Sequence, residues 1–202
     1  MSFTNSENKI EIGSVIPFGD EMWRVLDVKS DRILIICTRI IEQKKYHESS
    51  GDVTWANCDL RKFLNTEYYE SFKEDDKSRI ISVNNSNEPN SKYQTQSGRA
   101  TDDKIFLLSE SEAKKYFSDD KDRGLPESFS DDDYQGWWLR TRGESEGQAM
   151  VVINFFAEEE DGSQAEDEEG NPIVPGYIFH EGTYTGTDSV KTGVRPAMWL
   201  RL

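Results

Sequence analysis

The sequence predicts an α+β fold, a single domain of mostly antiparallel short strands with two helices. Three observations point there. Short apolar runs bounded by turn residues recur along the chain, and only two stretches carry helical spacing. Two late segments, Gly136-Trp137-Trp138-Leu139-Arg140-Thr141 and Val194-Arg195-Pro196-Ala197-Met198-Trp199-Leu200, alternate in the manner of strands. Many strands with few helices and no linker between two cores indicate one α+β unit over residues 1–202. Hydrophobic residues make up 35% of the chain, so five Trp, eight Tyr and ten Phe must carry much of the burial.

The first strands read as Val15-Ile16-Pro17-Phe18 and residues 21–28, followed by the continuous apolar run Ile33-Leu34-Ile35-Ile36-Cys37. The last two form a hairpin about the turn Lys29-Ser30-Asp31. Leu60, Phe63, Leu64, Tyr68 and Phe72 then fall at helical spacing, with Asn57 as the expected N-cap and Asp59 in the first turn. Residues 84–103 read as a long polar loop, and Lys104-Ile105-Phe106-Leu107-Leu108 as a strand. Ser109 and Glu112 have the spacing of a capping box and open a second, short helix carrying Ala113, Tyr116 and Phe117.

The Trp137 strand follows an acidic connection that includes Asp131-Asp132-Asp133. Residues 149–156 are a further strand. Residues 158–171 are an acidic, aperiodic stretch expected to be a solvated loop. Strand character resumes at Pro172-Ile173-Val174 and Tyr177-Ile178-Phe179, with a turn expected from 182 to 193 before the final strand. Residues 1–8 are expected to be a flexible N-terminus without the basic start and apolar run of an export signal. With no apolar run of membrane-spanning length, the expected location is cytoplasmic.

Several motifs in this order resemble an uncharacterised bacterial domain family. They are Trp23-Arg24-Val25-Leu26, Thr54-Trp55 with Asp59-Leu60-Arg61-Lys62-Phe63-Leu64-Asn65, Asp103-Lys104-Ile105-Phe106-Leu107-Leu108-Ser109, Trp137-Trp138-Leu139-Arg140, and Gly193-Val194-Arg195-Pro196-Ala197. More distantly, the layout is similar to the C-type-lectin-like superfold, which includes the formylglycine-generating enzymes. That resemblance implies a C-type-lectin-like scaffold. The paired C-terminal cysteines that the formylglycine chemistry would need are absent, since Cys37 and Cys58 lie in the first third.

A net charge of −15 repels phosphate backbones and anionic lipid, which argues against nucleic acid and membrane surfaces as partners. His47 and His180 have no Cys or His at ligand spacing, so no metal or other cofactor is expected. Glu88-Pro89-Asn90 has the look of a calcium-dependent sugar-binding triplet, but lacks its usual companion motif and reads as coincidence. No nucleophile elbow or phosphate-cradling glycine loop occurs.

Trp138, Arg140 and Arg195 are the candidate ligand-binding residues, because a guanidinium beside an indole can clamp an anionic or sugar-like group. The competing reading pairs these arginines, and Arg61, with buried acids such as Asp59 or Asp103. Trp23, Trp55, Leu60, Arg61, Trp137, Pro196 and Trp199 are expected to form the structural framework. The expected function is a non-enzymatic binding or protein-interaction module for a protein or a small polar, sugar-like ligand. An enzyme related to the formylglycine-generating group and a structural or assembly protein are the alternatives.

Overall fold

Ile33 to Cys37 has no polar face because it runs through the middle of a sheet and is buried on both sides. The computed structural model describes residues 10–49, 51–125, 136–154, 162–186 and 192–202. In chain order the strands are β1 (Val15–Phe18), β2 (Glu21–Val28), β3 (Arg32–Cys37), β4 (Glu42–Gln43), β5 (Ile80–Ile81) and β6 (Val83–Asn85). Then come β7 (Thr101–Asp103), β8 (Gly136–Arg142), β9 (Gln148–Ile153), β10 (Ile178–Tyr184), β11 (Thr192–Val194) and β12 (Ala197–Arg201). The α-helices are α1 (Asp59–Phe63), α2 (Glu74–Arg79), α3 (Glu110–Tyr116) and α4 (Asp120–Arg123).

One antiparallel sheet has the order β1-β2-β3-β12-β5. A second runs β10-β9-β8-β11-β4, antiparallel except where β11 lies parallel to β8. β6 and β7 form a separate pair. The α+β class with mostly antiparallel strands is therefore as the sequence predicts. The last strand is interior to the first sheet, where Trp199 pairs with Leu34 on one side and Ile81 on the other. The β2–β3 hairpin carries a bulge between Val25 and Asp27. The extra residue, Leu26, is the one that breaks alternation in the sequence, and the bulge turns it inward.

Several local expectations need correction. The N-cap of α1 is Cys58, whose Sγ accepts from the Arg61 backbone N–H at 3.3 Å. Asn57 instead closes a preceding 3-10 turn (Trp55–Asn57), its Oδ1 accepting from the Thr54 N–H at 2.7 Å. Residues 104–108, buried from Ile105 onward, form a single bridge, Phe106 to Ala197, rather than a strand. Their backbone is occupied elsewhere: Ile105 O accepts from Asn65, and Leu107 and Leu108 O accept from Arg140. β9 ends at Ile153, and Phe155 and Phe156 lie outside the described residues. The expected strand at 172–174 is reduced to a bridge between Pro172 and Glu166.

The turn expected from residue 182 starts later, because β10 continues to Tyr184 through a register shift. Gly182 makes that possible with φ +74°, and a Cβ there would stand 2.5 Å from Ala149 O. Helix α1 continues into a π-helical turn, Leu64–Tyr68, and α2 and α4 add two short helices that periodicity did not indicate. Of the acidic stretch, the described part folds back on itself. Asp167 Oδ1 accepts from the Glu169 and Asn171 N–H groups, and Ala165 is buried. Asp131, Asp132 and Asp133 lie outside the described residues.

Candidate functional site

Every residue of β8 is buried. The two faces implied by alternation are both covered. Trp138 donates its indole N–H to Lys44 O at 2.8 Å and meets Tyr46 edge-on at 5.5 Å. Arg140 is ion-paired with Glu112 and donates to Asn87 Oδ1 at 3.1 Å, Leu107 O at 2.8 Å and Ser86 O at 3.1 Å. Its acid is thus Glu112, the capping-box residue of α3, and not Asp59 or Asp103. Arg195 has no carboxylate partner among the described residues. It donates to Cys37 O and Arg123 O, each at 3.0 Å, and lies between the rings of Trp137 at 5.0 Å and Phe117 at 5.5 Å. Burial pulls its pKa down to about 10.

Two of the expected framework residues, Trp55 and Arg61, converge on a buried acid. Asp103 is fully buried and accepts from Arg61 Nε at 2.5 Å, Trp55 Nε1 at 2.9 Å, Thr101 Oγ1 at 2.7 Å and Asn85 Nδ2 at 3.1 Å. This one carboxylate ties α1, the 3-10 turn and β6–β7 together, and Leu60 is sealed beneath. Asp59 goes elsewhere, to His47 Nδ1 at 2.6 Å. Trp23 donates to Phe18 O at 2.8 Å, Pro196 O accepts from the Cys37 N–H at 2.9 Å, and Arg32 stacks on Trp199 at 4.9 Å.

The segment from 84 to 103, expected to be a long polar loop, instead carries β6 and β7 at its ends and is tied down by side chains between them. Asn90 is wholly buried and uses both ends of its amide. Its Nδ2 donates to Arg142 O at 2.9 Å and His180 O at 2.8 Å, while its Oδ1 accepts from the Lys92 N–H at 3.0 Å and the Tyr93 N–H at 3.1 Å. These bonds occupy the oxygen of the Glu88-Pro89-Asn90 triplet that a cation would have to use. Ser97 Oγ accepts from the Arg142 N–H at 3.1 Å, and Thr95 Oγ1 donates to Glu144 O at 2.7 Å. Gln94 holds φ +60°, an uncommon conformation for a residue other than glycine.

Above Asn90 sits a cluster of ionisable groups drawn from three elements. Glu110, in the first turn of α3, is buried and accepts from Ser91 N at 2.9 Å and from Lys114 Nζ at 2.6 Å. Ser91 Oγ also donates to it, and His180 Nε2 of β10 lies 3.2 Å away. Burial alone would raise the Glu110 pKa. The bonds from His180, Lys114 and Ser91 outweigh that and hold the carboxyl well below the usual carboxylate range. Beside it, Glu181 accepts from Tyr93 Oη at 2.6 Å and Lys92 Nζ at 3.1 Å. Ser91 and Lys92 are exposed, and Tyr93, His180 and Glu181 half-buried, so the cluster meets solvent on one side. Sequence reading missed it because its members lie up to 90 residues apart; the only local signal was an acid in the first turn of a capped helix.

The family model DUF6273, a domain of unknown function, matches residues 30–202. The chain belongs to that family. No curated protein and no solved structure matches it. The DUF6273 match begins in the turn before β3, so it holds the Trp137 strand, the Asp103 hub and the Glu110 cluster, while β1 and β2 precede it. Both thiols of the DUF6273 segment are buried, and burial raises the pKa of each, that of Cys58 to about 12. No helix among the described residues is long and apolar enough to cross a membrane.

Proposed function

We propose that this chain is a non-enzymatic binding or protein-interaction module on a C-type-lectin-like scaffold, and that its recognition surface is the face formed by residues 86–97, α3 and β10. The observation that carries this reading is the preorganisation of residues 90–94. All five backbone N–H groups are donated: Asn90 to Thr95 O, Ser91 to Glu110, Lys92 and Tyr93 to Asn90 Oδ1, and Gln94 to Asn90 O. A surface loop already ordered by the core binds without the further cost of ordering its backbone. Its outward groups, Ser91, Lys92 and Tyr93 with Glu181 and His180, suit a protein or a small polar, sugar-like ligand. The two helices that periodicity indicates, α1 and α3, with an arginine entering the C-terminal strand and long irregular connections, support the scaffold assignment.

The pairing of the ionisable groups also supports binding over proton transfer. Glu110 is held as a carboxylate by several donors, and both thiols are shifted away from the reactive form. A formylglycine-type enzyme acting through Arg140 and Arg195 would need those guanidinium groups open to a cleft, whereas they are 2% and 3% exposed. The test is a glycan and peptide panel screened with and without calcium. Binding that weakens in Lys92→Ala and Tyr93→Ala, at unchanged melting temperature, is the expected result. Silence across the panel at high protein concentration would contradict the proposal.

A further inference from the structure

A second concavity lies away from that face, between the β1–β2 turn and the junction of the first helical stretch with α2. Its volume is about 170 Å³. Tyr68 and Phe72 line it from the helical side, with their rings edge-to-face at 5.4 Å. Gly19 closes it from the turn. With φ +57°, Gly19 lets the Phe72 ring lie against the backbone, where a Cβ would stand 2.8 Å from Phe72 Cε1. Asp20, Glu21, Lys73 and Asp76 complete the lining.

The charges of this cleft are unequally satisfied. Glu21 is engaged by Arg39, whose Nε donates to it at 2.8 Å. Asp20 and Asp76 have no side-chain hydrogen-bond or ion-pair partner among the described residues. Lys73 is the lone cation in the lining, so two free carboxylates face one ammonium and a negative charge is left over. No three acidic, histidine or cysteine side chains among the described residues converge to hold a metal ion. A compact ion is therefore a poor match, and an extended cation that reaches separated carboxylates while lying on aromatic faces is a good one. The same corner of the molecule already uses that contact internally: Arg79 lies over Phe18 at 5.5 Å and Lys77 over Tyr69 at 5.8 Å.

We infer that this cleft binds an organic monocation, an alkylammonium or guanidinium group, with its charge between Asp20 and Asp76 and its stem on Phe72 and Tyr68. The group belongs either to a free amine or to a basic side chain of a peptide. This site is separate from the loop face and does not depend on the function proposed for it.

The experiment is a titration of the full chain with butylguanidinium, followed by ¹H–¹⁵N spectra, with a Gly-Arg-Gly peptide as a second arm. Shifts confined to the amides around Gly19, Phe72 and Asp76 are expected. The double variant Asp20→Asn/Asp76→Asn should bind about fivefold more weakly, in keeping with two partly exposed charge contacts. Asp75→Asn, an exposed acid of α2 outside the lining, should bind as the parent does. Tighter binding of the peptide than of butylguanidinium at the same amides would identify a protein ligand, and equal or weaker binding a free amine. Shifts scattered over the acidic surface, or equal affinity in the double variant and in Asp75→Asn at matched melting temperature, would overturn the inference.

Discussion

Arg140, on β8, and Arg195, in the link between β11 and β12, are both buried in the core, and the fold handles them in different ways. Arg140 is held by directional bonds to an acid, a side-chain amide and two backbone carbonyls. Arg195 has two carbonyls and two aromatic faces, and no acid among the described residues. The first belongs to a network in which removing one member strands several others. The second is closer to a packing element that happens to be charged, and burial draws its pKa down because desolvation outweighs the smaller opposing pull of Cys37 and Asp122. The Arg140 side is also the side that supports the polar segment 84–97, through Ser86 O and Asn87. Order at the proposed recognition face thus depends on the network arginine and not on the stacked one.

Substitutions that break this contrast should fall in a definite order. Arg140→Ala removes a buried ion-pair partner and leaves Leu107 O and Ser86 O without their donor. It should cost about 3–5 kcal/mol in denaturant unfolding. Asn90→Ala strands two backbone carbonyls and two N–H groups under the loop, and should cost about 3 kcal/mol by the same measurement. A loss under about 1 kcal/mol for either would mean that the network is not what holds the segment.

The acid limb offers a subtler probe. Glu110 has a folded pKa below its unfolded value of about 4.3, so its contribution is fully present above that pH and is lost as pH falls towards the folded value. Melting temperatures of the parent should therefore drop more steeply below about pH 5 than those of Glu110→Gln, which starts less stable at neutral pH. Parallel curves would remove Glu110 from the network. Arg195→Met should cost less than Arg140→Ala, about 1–2 kcal/mol, because Cys37 O and Arg123 O lose a donor but an apolar side chain replaces the stem and no buried acid is abandoned. A cost equal to that of Arg140→Ala would erase the distinction between the two sites.

Much of the fold was legible because its signals are local. The apolar run of β3, the Ser109 and Glu112 capping box, and the alternation around Trp137 and Trp199 each depend on residues within one element. The displaced N-cap at Cys58 shows the limit of that resolution, since Asn57 and Cys58 are adjacent and Asn57 is already engaged by Thr54. Glu112 was read correctly as a capping residue, yet its second role as the acid of Arg140 lies 28 residues away in sequence. The candidate site was hardly legible at all. An Asn- and Ser-rich stretch reads the same whether its side chains face water or are buried, as Asn85 is against the Asp103 carboxylate and as Asn90 and Ser97 are against the backbone of β8. Polarity is carried by composition; the identity of the partner is not.

Hydrogen exchange at residues 90–94 tests most directly whether this surface segment is ordered from beneath. All five amides are bonded, so their exchange should be slowed well below that of an open loop, and Asn90→Ala should release Lys92 and Tyr93 first. Exchange of these five amides at the rate of an unstructured chain in the parent protein would contradict a preorganised recognition face.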